Sequence, residues 1–377
     1  MKNVFIYHLV GGISRVLATI IPVEKKLYVF HSSPDYADNS YAVYKYLILK
    51  EQRKDLTYCW LTSDRKSLEF IQKDDIVRNC SDYNIQAFYL KSLKGIYKTF
   101  RARYIFYTVG LLHYIDYKLP DKRINMWHGM PIKSIGYETK SGDITISTSI
   151  FFKSMMSVAL HVPEPNVWII GQPRNDLLFD NLNDDTISLA QYDNVGIWMP
   201  TFRRSKTLNH KDGIFVENAI SFVDIKELGR INKLLNKQNS LLIIKFHPYD
   251  IWQTKKIKDY SNVKFLYNDN FQQKDLYPLL GKCDYLISDY SSVIIDYEIL
   301  HRPIGVTVYD IDEYKKSRGL FVENIPGRRL FSTEELIDFI ENCIRGDEKL
   351  PEYKDLFNKF RDNNASKRLI LKLEDMK

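Results

Sequence analysis

The residues best suited to chemistry sit where apolar runs give way to short polar turns. Residues 283–300 read CDYLISDYSSVIIDYEIL, an apolar strand that becomes an apolar helix, with Asp289, Tyr290, Ser291 and Ser292 at the change. The first N–H groups of a helix lack intrahelical partners and carry the positive end of its dipole. Two hydroxyls placed there would make a phosphate cradle; the same serines would serve equally as a plain helix cap. In SLLIIKFHPYD, Lys245 and His247 lie two apart at a strand end and point the same way. A cation beside an imidazole suits a pyrophosphate, although a strand-end histidine alone is common. WMPTFRR ends another strand with Thr201, Arg203 and Arg204, where guanidinium forks match phosphate oxygens and a solvated basic loop would read the same.

The first half offers INMWHGMPIKSIG, with His128 and Gly129 at a strand end and Pro131 suited to a first helical turn. A histidine, with an ordinary pKa of ~6.5, is suited to proton transfer near neutral pH, and Gly129 permits close approach of a ligand or of the chain. The plainer reading is a histidine satisfied in a domain interface. GQPRND ends the next strand with Arg174, Asn175 and Asp176, either an anion or acceptor contact or a turn and helix cap. Asp310 and Asp312 form an Asp-x-Asp that could hold a divalent cation. A solvated turn is the favoured reading, because the basic groups already supply charge for a diphosphate, and no metal is expected.

These groups need elements to position them. Short apolar runs at 194–200, 240–246, 262–267, 284–288 and 303–309 predict strands, with helices over 215–237, 272–283 and 291–300. In the first half the strands fall at 26–32, 56–62, 103–109, 124–129, 144–148 and 167–171, with helices over 40–50, 85–101 and 150–160. Ser332 and Glu335 form a capping box for a helix through Ile344, and a last helix starts near Ala365. Alternating strands and helices give parallel sheets, continuously apolar because both faces are buried. Two α/β domains are expected, 1–182 and 183–350, separated by the polar run 179–194, with helices over 351–377 that pack back toward the first domain. Ligands bind at the carboxyl ends of such strands.

The 377 residues carry a net charge of +7, which favours an anionic partner such as a phosphorylated substrate or an acidic membrane surface and is too small to argue for nucleic acid. The four cysteines show no Cys-x-x-Cys pair and no zinc spacing, so reduced thiols of a cytoplasmic protein are expected. Val4–Val23 is apolar but interrupted by His8, Gly11, Gly12, Ser14 and Arg15. That makes it a poor membrane span, and either an amphipathic surface segment or the first strand and helix of the fold.

Taken in order, MWHGMPIKSIG, GQPRNDLL, MPTFR, IIKFHPYD, CDYLISDYSSVIIDYEILHRPI and DEYKKSRGLFVEN resemble the CDP-glycerol glycerophosphotransferase family of teichoic acid primases and polymerases. The resemblance extends to VFHSSPDYADNSYAVYKYL at 29–47 and DNNASKRLI at 362–370, nearly the whole chain. It departs from the family pattern at Met130, where Thr is usual, and at Gln172, where Tyr is usual. The resemblance implies a GT-B fold, two Rossmann-like domains facing a central cleft, the first binding the acceptor and the second a CDP-alditol donor. It implies transfer of an alditol phosphate, glycerol phosphate foremost, to a hydroxyl of a lipid-linked or polymeric acceptor. CMP is released, no cofactor or metal is required, and the work is done at the cytoplasmic membrane face in teichoic acid or capsule synthesis. His128 and His247 would be catalytic. Arg203, Lys245, Asp289, Ser291, Ser292 and Asp296 would bind the donor, Asp296 through ribose. Gly129, Arg174, Asn175 and Asp176 would lie on the acceptor side. Two other readings remain: a GT-B transferase using a CMP-sugar such as CMP-sialic acid, against which the Trp-His-Gly and Pro-Arg-Asn-Asp stretches argue, and a non-catalytic polymer-binding partner, against which the two histidines argue.

Overall fold

The computed structural model describes residues 12–14, 16–109, 111, 123–135, 143–181, 187–203, 213–248, 250, 252, 257–267, 271–319 and 325–376. Of the apolar N-terminal stretch, residues 4–11 and Arg15 lie outside these, as does Arg204. The chain divides into two compact units. The first holds β1 (Glu24–His31), β2 (Thr57–Thr62), β3 (Asn84–Tyr89), β4 (Ala102–Tyr107), β5 (Arg123–Asn125), β6 (Ile144–Ser147) and β7 (Val167–Ile169). They form one parallel sheet in the order β3-β2-β1-β4-β5-β6-β7. The second unit holds β8 (Asn194–Met199), a small hairpin β9 (Ala219–Ile220) and β10 (Val223–Asp224), then β11 (Ser240–Lys245), β12 (Val263–Leu266), β13 (Tyr285–Ser288), β14 (Ile304–Thr307) and β15 (Arg328–Leu330). Its parallel sheet runs β12-β11-β8-β13-β14-β15. Strand order reverses between β1 and β4 in one sheet and between β8 and β13 in the other, so each unit has a topological switch point.

Burial on both sides explains the apolar strands. In the first unit Leu27 and Val29 join Cys59, Leu61 and Ile105 in one core cluster. The alternate residues Tyr28, Phe30, Tyr58, Trp60 and Phe106 make an aromatic layer on the other face, with Phe30 stacked on Phe106 at 5.2 Å and Tyr36 edge-on to Trp60 at 4.8 Å. In the second unit Trp198, Leu242, Ile244, Phe246 and Ile287 pack against Ile231 and Leu235 of helix Leu228–Lys237 and against Phe339 and Ile340 of helix Thr333–Arg345. Gly196 is required within this core, because a Cβ there would lie 2.0 Å from the Tyr285 ring.

Several expectations need correction. The stretch 85–101 is not one helix: Asn84–Tyr89 is the edge strand β3, and Ser92 accepts the Gly95 N–H at 3.0 Å to start helix Leu93–Arg101. Residues 215–224 are not helical either; a 3-10 turn at Ile225–Glu227 then leads into helix Leu228–Lys237. Asn218 and Ser221 take φ of +55° and +59°, which turns the chain into the β9–β10 hairpin. Helices Lys66–Lys73, Asp75–Asn79 and Ile311–Arg318 and strand β15 had no counterpart in the expectations. The Ser332 cap forms as read: its hydroxyl accepts from Glu335 N at 3.3 Å, while the Glu335 carboxylate takes the Phe331 N–H at 2.5 Å.

The unit boundary falls between Leu177 and Leu178, whereas the expected boundary residue 182 lies outside the described residues. The expected tail 351–377 is divided, with the part up to Arg361 in the second unit and Asp362–Lys377 in the first. Asn358 and Arg361 bond the Glu298 carboxylate at 2.8 and 2.9 Å. Ala365 and Ser366, by contrast, donate their N–H groups to Asp176, each at 2.8 Å. The short stretch Pro131–Ile135 also belongs to the second unit, where Ser134 N donates to Gly319 O at 3.0 Å and Lys133 Nζ to the Tyr314 hydroxyl at 3.1 Å.

One buried ion cluster ties the carboxyl ends of β8, β13 and β14 together. Arg203 donates through Nε and Nη2 to Asp310 at 2.6 and 3.1 Å and through Nη1 to Asp289 at 2.9 Å. Asp289 also accepts from the backbone and hydroxyl of Thr201, and Asp310 from Ile214 N and the Tyr290 hydroxyl. The rings of Tyr290, Tyr309 and Tyr314 lie 5.1–5.6 Å from the guanidinium. Removing one partner of such a cluster leaves uncompensated buried charge, which costs about 3–5 kcal/mol. Arg203→Met is therefore expected to lower the urea midpoint of the chain by a corresponding amount. Arg203→Lys should not restore it, because an ammonium cannot fork to both carboxylates. A wild-type midpoint for either variant would contradict this.

Candidate active site

The carboxyl ends of the second sheet carry most of the residues singled out from the sequence, but their surroundings sort them into two kinds. Arg203 and Asp289 were expected to bind the donor. Both are buried and bonded to each other, Asp289 also to Thr201 and Arg203 also to Asp310, so they build the floor on which the strand-end loops sit. Asp310 is likewise no solvated turn: it is buried and ion-paired, while Asp312 is exposed in the first turn of helix Ile311–Arg318. Asp296 is fully buried and accepts from the Tyr277 hydroxyl at 2.7 Å through Oδ2, which ties helices Val293–Tyr297 and Leu276–Lys282 together.

Lys245, His247, Ser291 and Ser292 differ. Lys245 closes β11 with 5% of its surface exposed and makes no ion pair among the described residues. Burial lowers its ammonium to about 8. An isolated buried charge is unfavourable, so this position gains from a counter-ion. His247, two residues on, is half-buried, with its ring 4.8 Å from that of Phe202 beyond β8. Ser291 and Ser292 are half-buried, and their carbonyls accept from Ile294 N at 3.2 Å and Ile295 N at 3.0 Å. The Ser292 side chain makes no cap hydrogen bond, and its φ of −61° is already helical. Ser292 is therefore not a side-chain cap of the helix that follows it. That helix, Val293–Tyr297, is only five residues long, so any phosphate binding there rests on the hydroxyls more than on a dipole.

In the first unit the Trp-His-Gly turn follows β5. The expected strand to 129 stops at Asn125 because Trp127 takes φ +51° and Gly129 φ +136°. Trp127 is buried and His128 exposed, with the two rings 4.4 Å apart. Around them lies a buried polar cluster. Arg174, expected as an anion contact, is paired through Nη1 with both carboxylate oxygens of Asp38 at 3.0 and 3.2 Å. Asp176, also placed on the acceptor side from the sequence, instead caps helix Ala365–Glu374. Burial pushes its carboxyl up to about 6, against the pull of its bonds to Ser366 and Ala365. Asn175 is buried with neither amide atom hydrogen-bonded among the described residues, and the same holds for Gln172 Nε2; such groups mark a place for an ordered water. Sequence reading missed Asn39 and Asn125. Asn39 donates to Trp127 O at 2.9 Å and accepts from Arg174 N at 3.0 Å, and Asn125 accepts from Trp127 N at 3.0 Å. Asn125 is the last residue of β5 and Asn39 the second of helix Asp38–Leu49, and neither position marks an asparagine out in the sequence.

The chain is similar to known proteins over most of its length. It is 25% identical to teichoic acid ribitol-phosphate polymerase TarL of Staphylococcus aureus, over 70% of this chain and 49% of that protein. It is 24% identical to a teichoic acid poly(glycerol phosphate) polymerase of Bacillus subtilis, over 92% of this chain and 48% of that one. The chain thus spans about half the length of these curated relatives. Its fold matches that of the wall teichoic acid polymerase TagF with a TM-score of 0.72 at 20% identity, covering 100% of this chain and 98% of that one. TagF has also been solved after a soak with CDPG. The fold is therefore of the GT-B type. A profile of the CDP-Glycerol:Poly(glycerophosphate) glycerophosphotransferase family matches residues 14–374, and the chain belongs to that family.

Proposed function

We propose that this protein transfers an alditol phosphate, glycerol phosphate foremost, from a CDP-alditol to a hydroxyl of a lipid-linked or polymeric acceptor. The observation that carries this reading is Lys245, a buried ammonium with no carboxylate partner among the described residues, at the carboxyl end of a strand beside His247. An ammonium so placed takes an anion, and the pyrophosphate of a CDP-alditol supplies one. The acceptor oxygen bonds to the phosphorus bearing the alditol, and the bond from that phosphorus to the bridging oxygen breaks, so CMP leaves. His128 takes the acceptor proton. Lys245, His247 and the hydroxyls of Ser291 and Ser292 hold the phosphate oxygens and stabilise charge on the leaving CMP. In phosphoryl transfer such positioning and charge stabilisation carry most of the catalysis. With cations of its own the site works without a metal or cofactor.

The assay is CMP release from CDP-glycerol and from CDP-ribitol, with an alditol-phosphate acceptor and a metal chelator present. Acceptor-dependent release is expected from one donor, falling about 10²–10⁴-fold in His128→Ala and sharply in His247→Ala. Full activity in His128→Ala would remove it as the base, and no release from either donor would remove the reading.

The Lys245 ammonium carries its charge below about pH 8 in the free protein. The donor KM is therefore expected to rise as pH passes upward through that value. In Lys245→Arg, whose guanidinium stays charged, this limb should vanish. An unchanged limb would assign the titration to another group.

A lipid-linked acceptor places the protein at a membrane surface. No helix among the described residues is long and apolar enough to cross one, and the support is instead a surface. Residues 12–14 and 16–20 are helical, with Ile13, Val16 and Ile20 exposed. Ala18 and Ile21 pack in the same cluster as Ile96 and Phe100 of helix Leu93–Arg101, which exposes Leu93 at 87% and Tyr97 beside the exposed Lys91 and Lys94. Apolar groups ringed by lysines suit an anionic bilayer. Val16→Glu with Ile20→Glu is expected to abolish flotation with anionic liposomes while sparing CMP release from a soluble acceptor. Undiminished flotation would dismiss this surface.

A further inference from the structure

The turn that presents His128 is conformationally costly. Trp127 has φ +51°, a region that a bulky side chain rarely adopts, and Gly129 has φ +136°. Strained backbone persists only where its surroundings over-determine it. Here two side-chain amides do so. The Trp127 N–H donates to Asn125 Oδ1 at 3.0 Å, and the Trp127 C=O accepts from Asn39 Nδ2 at 2.9 Å. Asn39 Nδ2 also reaches Met126 O at 3.3 Å, and Asn39 Oδ1 accepts from Arg174 N at 3.0 Å. Both asparagines are buried. The peptide that enters His128 is thus gripped on its carbonyl side by Asn39, at the start of helix Asp38–Leu49, and the residue before it is gripped on its N–H side by Asn125. Neighbouring contacts brace Asn39 in turn: Asp38 pairs with Arg174, and Ser40 donates to His31 O at 2.8 Å.

We propose that Asn39 is a positioning residue for the transfer. It fixes the aim of the His128 imidazole by supplying two N–H donors to successive carbonyls of the turn while taking a backbone N–H from the Gly-Gln-Pro-Arg-Asn-Asp turn. Only a primary amide does both at once; a carboxylate of the same shape would set an acceptor against two carbonyl oxygens. This inference rests on the proposed role of His128. A misplacement of about 1 Å costs on the order of 10² in rate, and the group misplaced here is the one assigned to the acceptor proton rather than to the donor phosphates.

The test compares Asn39→Asp with wild type in the CMP-release assay, with urea unfolding alongside. The expected result is a fall of about 10²-fold in kcat, an unchanged donor KM, and no further loss when the change is made in a His128→Ala background, because residues acting as a unit are not additive. Equal losses in both backgrounds would overturn the proposal and leave Asn39 a structural residue only. If Asn39→Asp does not fold, Asn39→Ala carries the test with no buried charge, and wild-type kcat in that variant overturns the proposal as well. The two failures are distinguishable. An active His128→Ala sinks the reading of His128, whereas an inactive His128→Ala beside a fully active Asn39 variant sinks this inference alone.

Discussion

The guanidinium of Arg203, held between Asp289 and Asp310, is the constraint on which the second unit's site depends. Three strands, β8, β13 and β14, end at this point, and strand ends alone would leave their loops free to choose among many arrangements. One cation with five donors removes that choice, because its fork geometry demands both carboxylates at fixed positions. Buried ion clusters of this kind are weak evidence for net stability. Their value here lies in register: the segment 289–292, which carries the serines, is aligned through Asp289 to the segment after β8, where Phe202 meets His247.

The cluster also decides which basic groups are available to a ligand. An arginine already sharing its charge with two carboxylates adds little to an anion site. A buried lysine with no ion pair among the described residues, such as Lys245, has its whole charge to offer. These two buried cations of the unit thus differ in their pairing, and the difference follows from where the aspartates fall.

The sequence made the scaffold legible and the site only partly so, for one physical reason. A strand buried on both faces declares itself locally through its apolar run, so β1, β2, β8, β11 and β13 could be read from a few neighbouring residues. A polar strand-end residue does not declare its partner. Arg203 finds its carboxylates 86 and 107 residues downstream, and Asn39 finds its carbonyls 87 and 88 residues away. The partners of Arg203, Asp296 and Asn39 were therefore invisible in the sequence, and Asn39 looked like nothing in particular. Lys245 was readable because a charge at the end of SLLIIK is anomalous within its own strand. The missed β3 falls where the apolar pattern is weak, and in the β9–β10 hairpin Asn218 and Ser221, with positive φ, set the path.

Neither unit is a continuous length of chain. The first closes only when Asp362–Lys377 joins it, with Asp176 receiving the N–H groups of Ala365 and Ser366 and the Tyr104 hydroxyl reaching Leu373 O at 3.1 Å. On a ribosome those residues emerge after all of Leu178–Arg361. N-terminal domains ordinarily fold first during synthesis; here the order of completion is inverted, and the unit bearing His128 stays open at one end until the unit bearing Lys245 has been translated.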